Sequence, residues 1–332
     1  MNTGLKITAF GAAIAATFGT AYGIGTSIDP VVATKPPAAH DEHAKTGEGA
    51  AGKEKGGHEE ASGGAGHETA PAGGLQISEG GYTLALDTPR VAAGASTVLS
   101  FSVKDESGRK VTAYQREHDK ELHFIIASRD LTVYRHLHPT RVADGTWSVR
   151  ATLPAAGGYR AFADFKPAKK DAAGVTLGAD LAVSGTSEPA ALPAAGNTAE
   201  VDGYQVALDG ALTPGKANEL KLTVAKNGKP VTNLQPYLGA YGHLVALRAG
   251  DLAYLHVHPN GEPGDGVTKP GPDVSFTATA PSSGAYRLFL DFQHQGKVRT
   301  AAFTVDVPAA GAAGAKPSAQ PGESGEADGH EH

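Results

Sequence analysis

Two short stretches, "YRHLHP" and "YLHVHP", bring pairs of histidines together at His136/His138 and His256/His258, 120 residues apart. Each pair is preceded, 13 residues before its first member, by another histidine, His123 or His243. Neutral imidazole ligates Zn(II) or Cu(II), with Zn–N at about 2.0–2.1 Å, and residues i and i+2 of a strand project from one face about 7 Å apart. The two members of each pair can therefore converge on one ion. A strand returning antiparallel brings His123 or His243 beside them. Asp164 and Asp291 end the same "YR(A/L)F(A/L)D" run in the two stretches. Each completes a set as a ligand or as the carboxylate that orients a ligating imidazole.

The pattern predicts one metal site per repeat, built from His123, His136, His138 and Asp164 in the first and from His243, His256, His258 and Asp291 in the second. A plainer reading stands beside it: imidazoles bonded to backbone carbonyls can stabilise a His-x-His-Pro corner without an ion, and duplication copies such a corner whatever it does. His118 in "REHDKELH" has Leu238 as its counterpart, and His294 in "DFQH" has no partner in the first copy, so both read as auxiliary.

Other chemistry is excluded by composition. There is no cysteine, and the one methionine is the first residue. Thiolate zinc sites, iron–sulfur clusters, disulfides, blue-copper sites and thioether Cu(I) sites are therefore out of reach. No G-x-S-x-G, H-E-x-x-H, Walker or dinucleotide motif occurs, and no serine or carboxylate is placed as a general base, so a binding protein is expected and not an enzyme. A net charge of -6 without a Lys/Arg cluster argues against a nucleic-acid partner.

Strands must position these residues. "GGYTLALD" (80–87) answers "DGYQVALD" (202–209), and each is followed by an alternating run broken at a turn, "ESGR" or "KNGK". The 17 residues from His123 to Pro139 align without a gap on His243 to Pro259, and "GGYRAFADF" aligns on "GAYRLFLDF". Self-similarity over so long a period means two tandem domains and not a solenoid. Short strands between Gly, Pro, Asn and Asp turns predict an all-β chain of two immunoglobulin- or cupredoxin-like β-sandwiches. Tyr159 and Tyr286 read as corner tyrosines, and Trp147 as a core or edge residue. Pro139 and Pro259 are expected to stop their strands.

The expected organisation is a signal-anchor helix at 1–30, a His-containing disordered linker at 31–74, a first sandwich at 75–185, a linker at 186–200, a second sandwich at 201–308 and a tail at 309–332. Lys6 followed by an uncharged run to Ile28 reads as an uncleaved span with the remainder extracytoplasmic; secretion after cleavage is the alternative. The outer segments hold His40, His43, His58, His67, His330 and His332, beside carboxylates that suit loose metal binding.

On "HFIIASRDLTVYRHLHP", "GGYRAFADF", "PYLGAYGHLVALRAGDLAYLHVHP" and "GAYRLFLDF", the chain resembles a family of exported, membrane-anchored actinobacterial proteins with paired β-domains, in the style of YtkA-like and FixH-like domains. That resemblance covers about residues 75–306 and implies a metal-related exported β-sandwich. Within it, Asp130 aligns with Gly250 while Asp251 follows one step later, which argues against Asp130 as a ligand. The expected partners are a Zn(II) or Cu(II) ion, the membrane through the anchor, and a cell-envelope protein. The rival function is a non-metal envelope interaction or adhesion module with structural His-x-His-Pro corners.

Overall fold

A computed structural model describes residues 72–309 apart from His256. The expected anchor and the six histidines of the outer segments lie outside the described residues. Within them the secondary structure is all β, and no helix is long and apolar enough to cross a membrane.

Strands β1 (Leu122–Ser128), β2 (Tyr134–Leu137), β3 (Gly157–Pro167) and β4 (Val175–Ser184) form one sheet of the first sandwich, in the order β4-β3-β1-β2 with Arg90–Ala92 outside β4. The facing sheet runs Ser78–Glu79, Tyr82–Leu86, Ser96–Lys104, Thr146–Thr152, Thr140–Arg141. In the second sandwich β5 (His243–Arg248), β6 (Tyr254–Leu255), β7 (Gly284–His294) and β8 (Lys297–Val307) lie in the order β6-β5-β7-β8. Thr198–Val201, Tyr204–Asp209, Ala217–Lys226, Asp273–Thr279 and Val257–Pro259 face them. Both corner tyrosines do what their spacing implies: Tyr159 Oη donates to the Ala155 carbonyl and Tyr286 Oη to that of Ser282, each at 2.8 Å. Trp147 is a core residue, 3% exposed, and its Nε1 donates to Tyr114 Oη at 3.3 Å.

The His-x-His-Pro segments are where the chain changes sheets. β2 lies in one sheet and Thr140–Arg141 in the other, so His138 and Pro139 form the crossing. In the second sandwich Pro259 does not stop the strand that holds Tyr254. It closes Val257–Pro259 in the facing sheet, opposite Phe276. That strand is at the sheet's end, where a residue without N–H costs no ladder bond.

β1 is buried at every position. Alternation explains this, because successive side chains serve two different interfaces. Phe124 and Ile126 pack into the first sandwich's own core with Phe101 and Trp147. Ile125 and Ala127 pack instead against Val245, Leu247 and Phe289 of the second sandwich, in a third apolar cluster that forms a seam between the two. A large apolar side chain buried there contributes about 1.5–3 kcal/mol. Tyr134 stacks on Phe289 with ring centres 4.1 Å apart, and Phe162 meets Tyr254 at 5.7 Å. Tyr134 and Tyr254 are equivalent in the repeat, as are Phe162 and Phe289. The same contact is therefore made twice with roles exchanged, the signature of an approximate twofold interface.

The chain also stitches the seam. Gly74 N donates to the Thr176 carbonyl at 2.8 Å, while Gly73 accepts from Tyr254 N at 2.9 Å. These two glycines, read from sequence as the end of the tether, join β4 to β6. In the segment between sandwiches, Ala190 N donates to Asp130 at 3.1 Å and Gly196 N to the Thr304 carbonyl at 3.0 Å.

Candidate metal centre at the seam

Strand parity sends the histidines to the seam. His123 shares its face of β1 with Ile125 and Ala127, and His243 shares its face of β5 with Val245 and Leu247. Antiparallel pairing sets Asp164 opposite His123, Asp291 opposite His243 and His136 opposite Ile125. Residues directly opposite each other share a face, so these also look into the seam.

One nitrogen from each of His123, His136 and His243 lies within 4.8 Å of the others. The ring centres are 5.3 Å apart for His123 and His136, 5.3 Å for His123 and His243, and 4.7 Å for His136 and His243. His138 stands 4.9 Å from His136. Among the described residues, histidines expected in two separate sites thus meet in one cluster to which both repeats contribute.

The outer contacts set the protons. His136 Nδ1 lies 2.9 Å from Asp291 Oδ2, and a carboxylate only accepts, so a neutral His136 carries its proton on Nδ1 and a lone pair on Nε2. His123 Nε2 lies 3.3 Å from the Glu117 carbonyl oxygen, another acceptor, which places the His123 proton on Nε2 and its lone pair on Nδ1. The two inner nitrogens, His123 Nδ1 and His136 Nε2, then face each other as lone pairs at 3.1 Å. The other His123 tautomer relieves that contact only by turning a lone pair on the Glu117 carbonyl. Either of two things removes the conflict: a second proton on His136, donated from Nε2 to His123 Nδ1, or a cation between the inner nitrogens, since ligands of one tetrahedral ion stand about 3.3 Å apart.

Two further imidazole nitrogens, His138 Nε2 and His243 Nδ1, are buried with no hydrogen-bond partner among the described residues. Such a group costs about 1–3 kcal/mol when left unpaired. Burial, reinforced by the neighbouring His136, holds His123 down to about 3 and His138 to about 4, and pushes His243 well below the usual imidazole range. At neutral pH these three rings are uncharged and able to ligate.

Asp291 also accepts from Thr300 Oγ1, and Asp164 accepts from Thr176 Oγ1 at 2.8 Å. The hydroxyl of Tyr134 is buried beside Asp291 and that of Tyr254 beside Asp164, so burial, then the carboxylate, raises both phenols. Asp291 is therefore the carboxylate behind a histidine of the other sandwich. His258 lines an adjoining cavity, and His256 lies outside the described residues. Asp130 and Asp251 are turn residues, accepting from Thr132 N at 3.1 Å and Ala253 N at 3.0 Å. His294 belongs to a separate network, 2.7 Å from Tyr204 Oη and 3.0 Å from Asn233 Oδ1. Sequence reasoning missed the Glu117 carbonyl, which no side-chain pattern reports, and the closeness of His118, whose ring lies 6.1 Å from His123 and 5.8 Å from His243.

A family model described as "Domain of unknown function (DUF8832)" matches residues 76–178 and 199–309. No curated protein matches the chain. Among solved structures, the Escherichia coli adhesin FdeC is similar at 17% identity over 70% of this chain and 65% of that chain, with a TM-score of 0.22. Invasin, a bacterial integrin-binding protein, is similar at 12% identity over 69% of this chain and 39% of that one, TM-score 0.21. InvD of Yersinia pseudotuberculosis is similar at 15% identity over 70% and 58%, TM-score 0.21. The chain spans less than two thirds of each of these structures. At such TM-scores the likeness carries no argument about function.

Proposed function

Because the chain belongs to the family of the domain of unknown function DUF8832, whose description assigns no activity, we propose a role from its own residues. It is an extracytoplasmic metal-binding protein that holds Zn(II) or Cu(II) in the seam between its sandwiches, for sequestration, buffering or delivery. The observation that carries this reading is the pair of inner nitrogens 3.1 Å apart, His123 Nδ1 and His136 Nε2, whose outer partners are both acceptors. His243 supplies the third ligand from the second sandwich. An all-imidazole set suits borderline divalent ions, and without thiolate or thioether the chain is a poor Cu(I) carrier. Binding and not turnover is assigned, since no nucleophile and general base stand together in the sequence. Placement outside the cytoplasm, on a membrane anchor, rests on Lys6 and the uncharged run that follows it.

A second reading is a cell-envelope interaction module whose histidines are structural. It is favoured by the protein groups themselves, since a His136 protonated on both nitrogens donates one proton to Asp291 and the other to His123 Nδ1. Calorimetric titration separates the two. The full chain, with alanine at the six histidines of the outer segments, is stripped with chelator and titrated with Zn(II) and Cu(II) at neutral pH. The metal reading expects one tight ion per chain, lost in His136→Ala. The interaction reading expects no stoichiometric ion.

A further inference from the structure

Resting on the metal reading, we propose that the ion enters and leaves through a cavity at the edge of the seam, and that His118 is the exchange ligand that passes it to the inner histidines. The cavity, about 290 Å3, is walled by both sandwiches, with Glu117, His118 and His123 on one side and His243, His258 and Glu262 on the other. It reaches two of the three clustered imidazoles. Its wall holds four carboxylates, Glu117, Glu121, Asp164 and Glu262, against the ammonium groups of Lys120 and Lys166. Such a lining raises the local concentration of cations. Glu117 is ion-paired with Lys166 at 3.2 Å and Glu121 with Arg141 at 3.1 Å, so the net negative charge of the wall comes from Asp164 and Glu262 against Lys120.

His118 sits at the tip of a two-residue turn closed by Glu117 N to the Lys120 carbonyl at 2.9 Å and by the reverse bond at 3.0 Å. Both central residues are left-handed, His118 at φ 50° and Asp119 at φ 62°. The second sandwich builds the same turn from Tyr237 to Ala240, with Leu238 at φ 55° and Gly239 at φ 72°. The two turns meet at the seam, where a Cβ on Gly239 would stand 3.6 Å from the His118 Cα. The fold therefore needs the turn in both copies, but the imidazole is present in only one.

Imidazoles sharing one tetrahedral ion have ring centres about 5.2 Å apart. His118, at 6.1 Å from His123 and 5.8 Å from His243, is within about 1 Å of that spacing, so rotation of its side chain suffices to reach an ion they hold. It is half-buried at the cavity wall. His138 differs: it does not line the cavity, and its Nε2 is buried. His138 belongs to the closed side of the cluster and His118 to the open side.

The test uses the full chain with alanine at the six outer histidines, carrying His118→Leu, the residue of the counterpart turn, or His118→Asn, a residue that tolerates a left-handed backbone. Zn(II) uptake and Zn(II) release to a chromophoric chelator are followed by stopped flow, with Kd from equilibrium competition. Both variants are expected to slow uptake and release together by about tenfold, with Kd changed less than about threefold. Unchanged rates overturn the proposal. So does a weakened Kd with release alone accelerated, which would make His118 a permanent ligand. A parent chain that binds no Zn(II) removes the metal reading itself and the exchange role with it.

Discussion

Asp291, on β7 of the second sandwich, holds Nδ1 of His136, on β2 of the first, at 2.9 Å across the seam. Both side chains are 3% exposed. The contact ties the two repeats into one site, because the carboxylate that fixes the ring's proton and the ring that presents the lone pair come from different sandwiches. The same residue lies opposite His243 in its own sheet, so Asp291 touches the chemistry of both copies.

Asp291→Asn keeps an acceptor for the His136 Nδ1–H but removes the negative charge behind a ring that would ligate a cation. Zn(II) affinity is expected to fall about 10- to 100-fold, measured by chelator competition, while the metal-free protein unfolds at a nearly unchanged denaturant midpoint. Unchanged affinity would mean that His136 is not a ligand.

Phe289 and Phe162 are the two copies of one ring contact across the seam, 3% and 0% exposed. Phe289→Ala and Phe162→Ala should each destabilise the metal-free protein by about 3–5 kcal/mol in urea unfolding, as truncation of a buried phenylalanine does. A cost below about 1 kcal/mol for either would show that the seam is not a packed interface.

Acid should destabilise the metal-free protein over a defined window. His123 and His138 titrate near 3 and 4 in the folded chain, against 6.5 ordinarily, because burial, followed by His136, opposes their charging. The unfolded chain binds protons first, so the stabilisation is whole above about pH 6.5 and is lost as pH falls toward 4 and 3, at about 1.4 kcal/mol per pH unit for each histidine. The slope of unfolding free energy between pH 6.5 and 4.5 should be shallower in His138→Asn than in the parent. An identical slope would show that His138 does not titrate with folding.

Gly74 tests the stitch. Its φ is +73°, and a Cβ there would come within 2.6 Å of the Phe162 ring. Gly74→Ala is expected to cost about 1–3 kcal/mol through overpacking, beyond the left-handed strain. Gly94 has the same φ with nothing within 4 Å of an added Cβ. Gly94→Ala should cost only about 1–2 kcal/mol, so equal melting temperatures for the two variants would contradict the contact with Phe162.

Much of the fold is legible in the residues. Alternating runs between glycine turns give the strands, Tyr159 and Tyr286 give the corners, and the gap-free alignment of His123–Pro139 on His243–Pro259 gives the repeat. Parity also puts each histidine on one face with its neighbours. What alternation within one copy cannot reveal is where that face points. "HFIIA" and "HLVAL" do carry a signal, since continuous apolar runs mark strands buried on both sides. A second buried face requires a partner, and the partner is the other repeat. The pairing of His136 with Asp291, 155 residues away, follows from that packing and from no local spacing.

An ion shared by both sandwiches fixes the stoichiometry expected of histidine variants. Zn(II) is titrated into the full chain lacking the six outer histidines, and into its His136→Ala, His243→Ala and doubly substituted forms. One tight ion per parent chain is expected, removed by either single substitution, with no further loss in the double variant. Two ions in the parent, one surviving each single substitution, would contradict the shared site, and no tight ion in the parent would contradict metal binding altogether.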